Sequence, residues 1–134
     1  MVRILITGSR SWADPEQIRM AILDILENTG TSPEDALIVH GDCPSGADYM
    51  ASVIAEHEGI PQERHPADWK GLGRRAGFVR NAEMVKLGAD VCLAFINNGS
   101  AGATMTANTA IKAGIPTKII VNDDSGVAAE ADDC

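Results

Sequence analysis

The chain has 134 residues, of which 45% are hydrophobic and only 4% aromatic, and its formal net charge is −8. This length fits one domain, and the aliphatic composition favours an α/β sheet over a small all-β sandwich. The acidic balance disfavours non-specific coating of nucleic acid. No apolar run approaches the roughly 18 residues of a transmembrane helix, so no membrane partner is predicted.

Strand-like and helix-like segments alternate from the first residues onward. The predicted strands cover residues 2–7, 36–40, 62–65, 91–96 and 117–121, the predicted helices cover residues 15–28, 46–58, 75–87 and 103–113, and residues 66–74 are predicted to be a loop. Such alternation implies right-handed crossovers and a parallel sheet. We therefore predict an α/β, Rossmann-like three-layer sandwich with a five-stranded parallel sheet in an order near 3-2-1-4-5.

The charge is unevenly distributed along the chain. Residues 123–134 hold five acids and no base, and we interpret them as an acidic, disordered tail after a domain spanning residues 1–122. The chain opens directly on a strand-like segment without a secretory signal pattern, so we expect a cytoplasmic protein. Its three cysteines form no Cys-x-x-Cys pair, and we predict no metal site built from protein side chains.

Ligands of such sheets bind outside the carboxyl ends of the strands, and four of the predicted strands end in polar or glycine-rich segments. The candidate ligand-binding residues are Gly8, Ser9 and Arg10 after the first strand, Gly41, Asp42, Ser45, Gly46 and Asp48 after the second, Asp68, Trp69, Arg80 and Asn81 after the third, and Asn97, Gly99, Ser100, Gly102 and Thr104 after the fourth.

These segments offer groups that suit a phosphate-bearing ligand. Gly8 lets the backbone turn sharply and approach a ligand closely, while Ser9 and Arg10 can donate to phosphate or carboxylate. Glycines before the second and fourth helices leave amides at the helix starts, which form a phosphate cradle. The first loop lacks the further glycines of a dinucleotide fingerprint and the fourth lacks the lysine of a P-loop, so neither motif is predicted.

Several of these residues admit a structural interpretation beside the functional one. Asp48 either binds a ribose hydroxyl or base edge, or caps amides and pairs with the helix dipole. Trp69 either stacks on a base or covers the core. Arg80 either turns back to a phosphate or pairs with Asp48 or Asp42. His40 is better explained as a strand-end histidine with satisfied hydrogen bonds than as a catalyst.

A set of short motifs recurs in this order and spacing in a known family. The motifs are Gly8-Ser9-Arg10, His40-Gly41 with Gly46-Ala47-Asp48, Ala67-Asp68-Trp69, Ala76-Gly77 with Arg80-Asn81, and Gly99-Ser100-Ala101-Gly102 with Ala113-Gly114-Ile115-Pro116. Over about residues 3–121 the chain resembles the YspA, cpYpsA-related SLOG family. The resemblance implies a Rossmann-like fold, binding of nucleotides or nucleotide-derived signals, and assembly into dimers or larger homo-oligomers.

The wider SLOG group includes LOG phosphoribohydrolases and the DNA-processing protein DprA, and the chain departs from the LOG motif Pro-Gly-Gly-x-Gly-Thr-x-x-Glu. Here Ala103 separates Gly102 from Thr104, and Ala107 stands where the motif would place its glutamate. An enzyme of that type would therefore lack its acid/base carboxylate.

Three functions are compatible with these observations. The leading one is a sensor or sequestering module for a nucleotide-derived molecule, with NAD, ADP-ribose or a nucleoside monophosphate as the ligand class and Mg²⁺ as a companion of its phosphate. The alternative is a LOG-like nucleotide hydrolase that cleaves an N-glycosidic bond, with Asp48 as its carboxylate. The third is a DprA-like binder of single-stranded DNA that uses Trp69 and the basic stretch from Lys70 to Arg80, which the acidic balance disfavours.

Overall fold

Five parallel strands form a single sheet in the order β3-β2-β1-β4-β5. The computed structural model describes residues 1–97 and 100–122, so Gly99 and the predicted acidic tail lie outside the described residues. The strands are β1 (Val2–Gly8), β2 (Ala36–His40), β3 (Gln62–Arg64), β4 (Val91–Ile96) and β5 (Thr117–Val121). The predicted α/β class, parallel pairing and strand order are all confirmed.

The helices cover both faces of this sheet. They are α1 (Pro15–Thr29), α2 (Gly46–Glu58), α3 (Trp69–Leu72), α4 (Ala76–Leu87) and α5 (Ala101–Lys112). Ile4 and Ile6 of β1 pack in a core with α1 and α2, whereas Leu5 packs in a second core with α4 and α5. Within the described residues, none of the helices combines the length and apolarity needed to cross a bilayer.

The middle of the sheet is buried on both sides, as the continuous apolar segments predict. Ile4, Leu5 and Ile6 of β1 have no exposed surface, and Leu93 and Phe95 of β4 are equally buried. The short edge strand β3 is instead polar and partly exposed. The two central strands therefore provide a rigid base from which the loops at the carboxyl edge project.

The prediction of a plain loop at residues 66–74 is wrong. Trp69–Leu72 form one helical turn, followed by a 3-10 turn at Gly73–Arg75. Asp68 starts the turn, because its Oδ1 accepts a hydrogen bond from the Gly71 amide at 2.9 Å. A single turn leaves no apolar periodicity in the sequence, which explains why pattern reading missed it.

An ion pair joins β1 to the edge strand β3. The Arg3 guanidinium donates to both carboxylate oxygens of Glu63, at 3.2 and 3.0 Å, and the His65 ring lies 2.7 Å from the same carboxylate. Hydrogen bonding from Arg3, and then from His65, lowers the pKa of Glu63 to about 2. Because the Arg3 and Glu63 side chains are 28% and 34% exposed, water screens the attraction and keeps its net contribution small.

We expect Glu63→Gln to lower the free energy of unfolding by about 0.5–1 kcal/mol near neutral pH. Since the folded-state pKa is depressed, the contribution of the carboxylate is present above its ordinary pKa of 4.5 and is lost as the pH falls toward 2. Urea denaturation of both proteins at about pH 7, 5 and 3 should show a difference that shrinks at the lowest pH. A difference of the same size at all three pH values would contradict this assignment.

Candidate functional site

Ser9 ties together three segments at the carboxyl edge of the sheet. Its amide donates to the Phe95 carbonyl at 2.9 Å, and its carbonyl accepts from the Ala47 amide at 3.2 Å. Its Oγ accepts from the Asn97 amide at 2.8 Å. Ser9 is fully buried, so it holds the β1–α1 loop against the end of β4 and the start of α2.

Two predicted glycines permit this close approach. A Cβ added at Gly8 would collide with the Ala47 side chain and the Phe95 carbonyl, and one added at Gly46 would collide with Ser9 and Arg10 backbone atoms. Gly46 also has a φ of +71°, in the left-handed region that favours glycine. The first turn of α2 therefore rests directly on the β1–α1 loop, where Arg10 is exposed.

The starts of α2 and α5 lie on either side of this loop. Their N-cap residues, Ser45 and Ser100, make no side-chain capping hydrogen bond. Ser100 follows Asn97 closely, and its amide donates to the Asn97 carbonyl at 3.2 Å. Among the described residues, Thr104 is the first residue of α5 whose amide has a backbone acceptor. This amide donates to the Ser100 carbonyl at 3.1 Å. The preceding amides of α5 are donors of the kind that bind anions at helix starts.

Asn97 presents an acceptor that has no partner among the described residues. Its Nδ2 donates to the Ser11 Oγ at 2.9 Å, but its buried Oδ1 accepts no hydrogen bond from residues 1–97 or 100–122. A buried acceptor of this kind normally has a donor. Asn97 lies between the Ser9 loop and the start of α5, so a ligand hydroxyl or amine at that position would satisfy it.

Both backbone polar groups of Gly41 are hydrogen-bonded to side chains. The Asp48 Oδ2 accepts from its amide at 3.1 Å, and Arg80 donates to its carbonyl. Arg80 also donates to the His65 carbonyl at 3.1 Å and to Asn81 Oδ1 at 2.7 Å. Asp48 and Arg80 are 7% and 4% exposed, so both are buried side chains that hold the β2–α2 loop in place.

Asp42 adopts an unusual backbone conformation beside Gly41. Its φ is +57°, which is uncommon for a residue with a side chain. Its amide donates to His40 Nδ1 at 3.0 Å, and its carboxylate accepts from Arg64 at 2.9 Å. Since Nδ1 accepts, the hydrogen of the neutral ring lies on Nε2, which is 2.9 Å from Gln62 Oε1. His40 is fully buried, which confirms its structural interpretation.

Arg64 and Tyr49 border a cleft that sequence reading did not identify. The cleft has a volume of about 410 Å³ and is lined in part by Asp42, Ser52 and Glu56. Arg64 donates to Asp42 and to the Ser52 Oγ, the latter at 3.1 Å, so its charge is already engaged. The one sequence signal was the position of Arg64 near the end of the short polar strand predicted at residues 62–65.

Trp69 does not cover the core, because 42% of its surface is exposed on α3. The tryptophan that does so is Trp12, which is 1% exposed and packs against Phe95 with ring centroids 5.5 Å apart. Of the other predicted site residues, Thr104 is exposed and its Oγ1 donates to the Ser100 carbonyl at 2.7 Å. Gly102 is buried in the first turn of α5.

Residues 1–97 and 100–122 contain no group of three or more His, Cys, Asp or Glu side chains that could hold a metal ion. The thiol of Cys92 is buried in β4, and desolvation raises its pKa to about 12. A thiol with such a pKa is not a nucleophile near neutral pH. The groups described at the carboxyl edge are backbone amides, arginines, carboxylates, and hydroxyl and amide side chains.

A parallel α/β sandwich whose loops and helix starts meet at one edge defines a Rossmann-like module. The sequence signature of the YspA, cpYpsA-related SLOG family matches residues 2–71, slightly more than half of the chain. The chain is also similar to the Gene 61 protein of Mycobacterium phage D29, with 45% identity over 121 residues that cover 87% of this chain and 94% of that protein. The chain therefore belongs to the YspA, cpYpsA-related SLOG family, which confirms the predicted resemblance.

Proposed function

We propose that the protein binds a nucleotide or nucleotide-derived small molecule at the carboxyl edge of its sheet, as a sensor or sequestering module. The observation that carries this proposal is the meeting of two helix starts at one loop. The Ala47 amide of α2 bonds to Ser9, and Asn97, which bonds to Ser9, precedes the start of α5. Neither N-cap side chain competes for the helix amides, and backbone donors at helix starts are the groups that bind phosphate.

The remaining groups at this edge suit the rest of a nucleotide. Arg10 is exposed beside the start of α2 and adds positive charge for a phosphate. The buried Oδ1 of Asn97 has no donor among the described residues, and a ribose hydroxyl would supply one. Family membership supports the same ligand class. NAD, ADP-ribose and nucleoside monophosphates are the ligands to test first, with Mg²⁺ as a companion of the phosphate.

Binding is favoured over hydrolysis by the position of the best candidate carboxylate. Asp48 is buried and its Oδ2 is bonded to the Gly41 amide. A carboxylate that holds a loop in this way is poorly placed to stabilise positive charge on a ribose ring. Asp48 is accordingly assigned to positioning the β2–α2 loop. We expect the ligand to leave the protein chemically unchanged.

We expect Arg10→Ala to weaken nucleotide binding about tenfold while leaving the fold intact. Thermal shift assays with AMP, NAD and ADP-ribose, followed by mass spectrometry of the ligand, measure both binding and turnover. A ligand at about 100 times its Kd should stabilise the wild type by about 2.7 kcal/mol. The control is Arg19→Ala, which also removes an arginine. Arg19 pairs with Glu16 of α1 and with Glu58 at the end of α2, not with residues at the start of α2.

Equal ligand responses in Arg10→Ala, Arg19→Ala and the wild type would remove Arg10 from the site. Recovery of cleaved rather than intact ligand would replace the binding module with an enzyme. The absence of any response in the wild type would overturn the proposed function.

A further inference from the structure

Four residues between β3 and α4 form an exposed ledge that combines an aromatic ring with positive charge. We call Trp69, Lys70, Arg74 and Arg75 the cationic ledge. Trp69 is 42% exposed, and the three cations are exposed as well. The sequence between Trp69 and Ala82 contains no acidic residue.

The arginines of the ledge have no acidic partner among the described residues. Elsewhere Arg3, Arg19 and Arg64 each bond a carboxylate. Across the part of the chain that the structure describes, the side chains of Arg74 and Arg75 make no hydrogen bond or ion pair. The chain holds 19 acids against 11 bases, and neighbouring cations that have no acidic partner among the described residues mark a surface that attracts an external anion.

The ledge is rigidly connected to the candidate ligand site. It leads directly into α4, whose Arg80 bonds the Gly41 and His65 carbonyls at the ends of β2 and β3. The Gly41 amide in turn bonds Asp48 of α2. The ledge follows β3, two strands from β1 in the sheet. At about 4.8 Å per strand, the end of β3 lies roughly 10 Å from the end of β1, and the ledge begins five residues after β3.

We propose that the cationic ledge is a second subsite, which takes the second phosphate and second ring of a dinucleotide-class ligand. This inference rests on the proposed function, because the first phosphate occupies the cradle between α2 and α5. The exposed face of Trp69 stacks on a planar ring, and the guanidinium groups of Arg74 and Arg75 bind phosphate oxygens. A mononucleotide in the cradle would not reach the ledge.

A small ligand fits this surface better than single-stranded nucleic acid. The basic stretch spans only residues 70–80, and the formal charge of the whole chain is −8. A nucleic-acid channel would continue the positive charge along several nucleotides. A dinucleotide needs only the cradle and one further pair of cations.

The test compares AMP with NAD, which is AMP extended by a second phosphate, ribose and ring. Both are titrated into the wild type, Arg10→Ala, Trp69→Ala, the double variant Arg74→Ala/Arg75→Ala and the control Lys86→Ala. Lys86 is exposed in the last turn of α4, at the opposite edge of the sheet. Calorimetry gives each Kd, and circular dichroism verifies that each variant is folded. Tryptophan fluorescence reports on stacking, because Trp12 is buried and Trp69 is accessible.

We expect the wild type to bind NAD about tenfold or more tightly than AMP. The two ledge variants should each weaken NAD binding about tenfold and change AMP binding less than about threefold. The control Lys86→Ala should bind both ligands with the affinity of the wild type. NAD should quench the fluorescence of Trp69, and Trp69→Ala should abolish the quenching.

Equal losses for AMP and NAD in the ledge variants would overturn the second subsite. No loss for either ligand, while Arg10→Ala weakens both, would overturn the second subsite and leave the proposed function standing. A wild type that binds neither ligand would overturn both. Tighter, steeply salt-dependent binding of a ten-residue thymidine oligonucleotide, lost in the ledge variants, would assign the ledge to nucleic acid instead.

Discussion

Arg80→Met should lower the free energy of unfolding by about 3 kcal/mol or more. The substitution keeps a long apolar side chain but removes the donors that bond the Gly41 and His65 carbonyls. Those groups lie around a side chain that is only 4% exposed, so water does not readily replace the lost hydrogen bonds. In a domain of this size the expected fall in melting temperature is about 10 °C.

The matched control is Arg75→Met, five residues earlier in the same region. Arg75 is exposed and makes no hydrogen bond or ion pair with the described residues. Its substitution should change the free energy of unfolding by less than about 0.5 kcal/mol. Urea denaturation measures both variants. A loss of similar size in the two proteins would show that Arg80 does not hold the loop.

Arg80→Met also separates positioning from direct contact with a ligand. Arg80 acts through Gly41, whose peptide unit leads into α2, so its loss should weaken binding by displacing the loop. Arg80→Lys retains the charge and one donor, and it should recover part of both stability and affinity. A variant that kept full stability but lost binding would indicate that Arg80 touches the ligand directly.

Gly46→Ala should lower the free energy of unfolding by about 3 kcal/mol. The new methyl group would collide with Ser9 and Arg10 backbone atoms, and alanine at a φ of +71° adds about 1–2 kcal/mol of backbone strain. The collision pushes the first turn of α2 away from the β1–α1 loop. Ligand binding should fall together with stability, because both depend on that contact.

Gly59 provides a control at the other end of the same helix. Its φ is +74°, but a Cβ placed there meets no atom within 4 Å. Gly59→Ala should therefore cost only the backbone strain, about 1–2 kcal/mol, and leave ligand affinity unchanged. The difference between the two variants in urea denaturation isolates the cost of the collision. Equal losses of unfolding free energy in the two variants would mean that the start of α2 moves to accommodate the methyl group at no cost, which would contradict the collision.

The fold could be predicted closely because its strands are apolar and its helix boundaries are marked. Ala36–His40 and Gly46–Glu58 have the bounds that the sequence predicted. The glycines at the ends of these segments act through backbone conformations that few other residues adopt. The start of α5 was placed at Ala103 rather than Ala101, because alanine and glycine give no clear capping signal at that end.

Helical spacing alone predicts that Arg80 is buried against the sheet, but it does not decide whether Arg80 binds a phosphate or an acidic side chain. Buried residues of α4 recur as Ala76, Gly77, Arg80, Asn81 and Met84, so Arg80 lies on the stripe that faces the sheet. Its acceptors could not be predicted, because the Gly41 and His65 carbonyls belong to other elements that only the folded chain brings near.

The exposure of Trp69 was equally open in the sequence. Composition allowed either stacking or a core role, and the choice depended on a single helical turn that periodicity does not reveal. The core position belongs to Trp12, which packs against Phe95 in the core that also contains buried residues of α1. A short element set by one Asp68 cap therefore decides whether an aromatic ring is available to a ligand.

The central claim is the location of the ligand, and titration of ¹⁵N-labelled protein with NAD, followed by amide chemical shifts, tests it most directly. The predicted result is a set of saturable shifts at Arg10, Gly46 and Ala101–Ala103, with further shifts at Trp69 and Arg75. Shifts confined to the cleft beside Tyr49 and Arg64, or spread without saturation over the surface, would contradict a nucleotide site between the starts of α2 and α5.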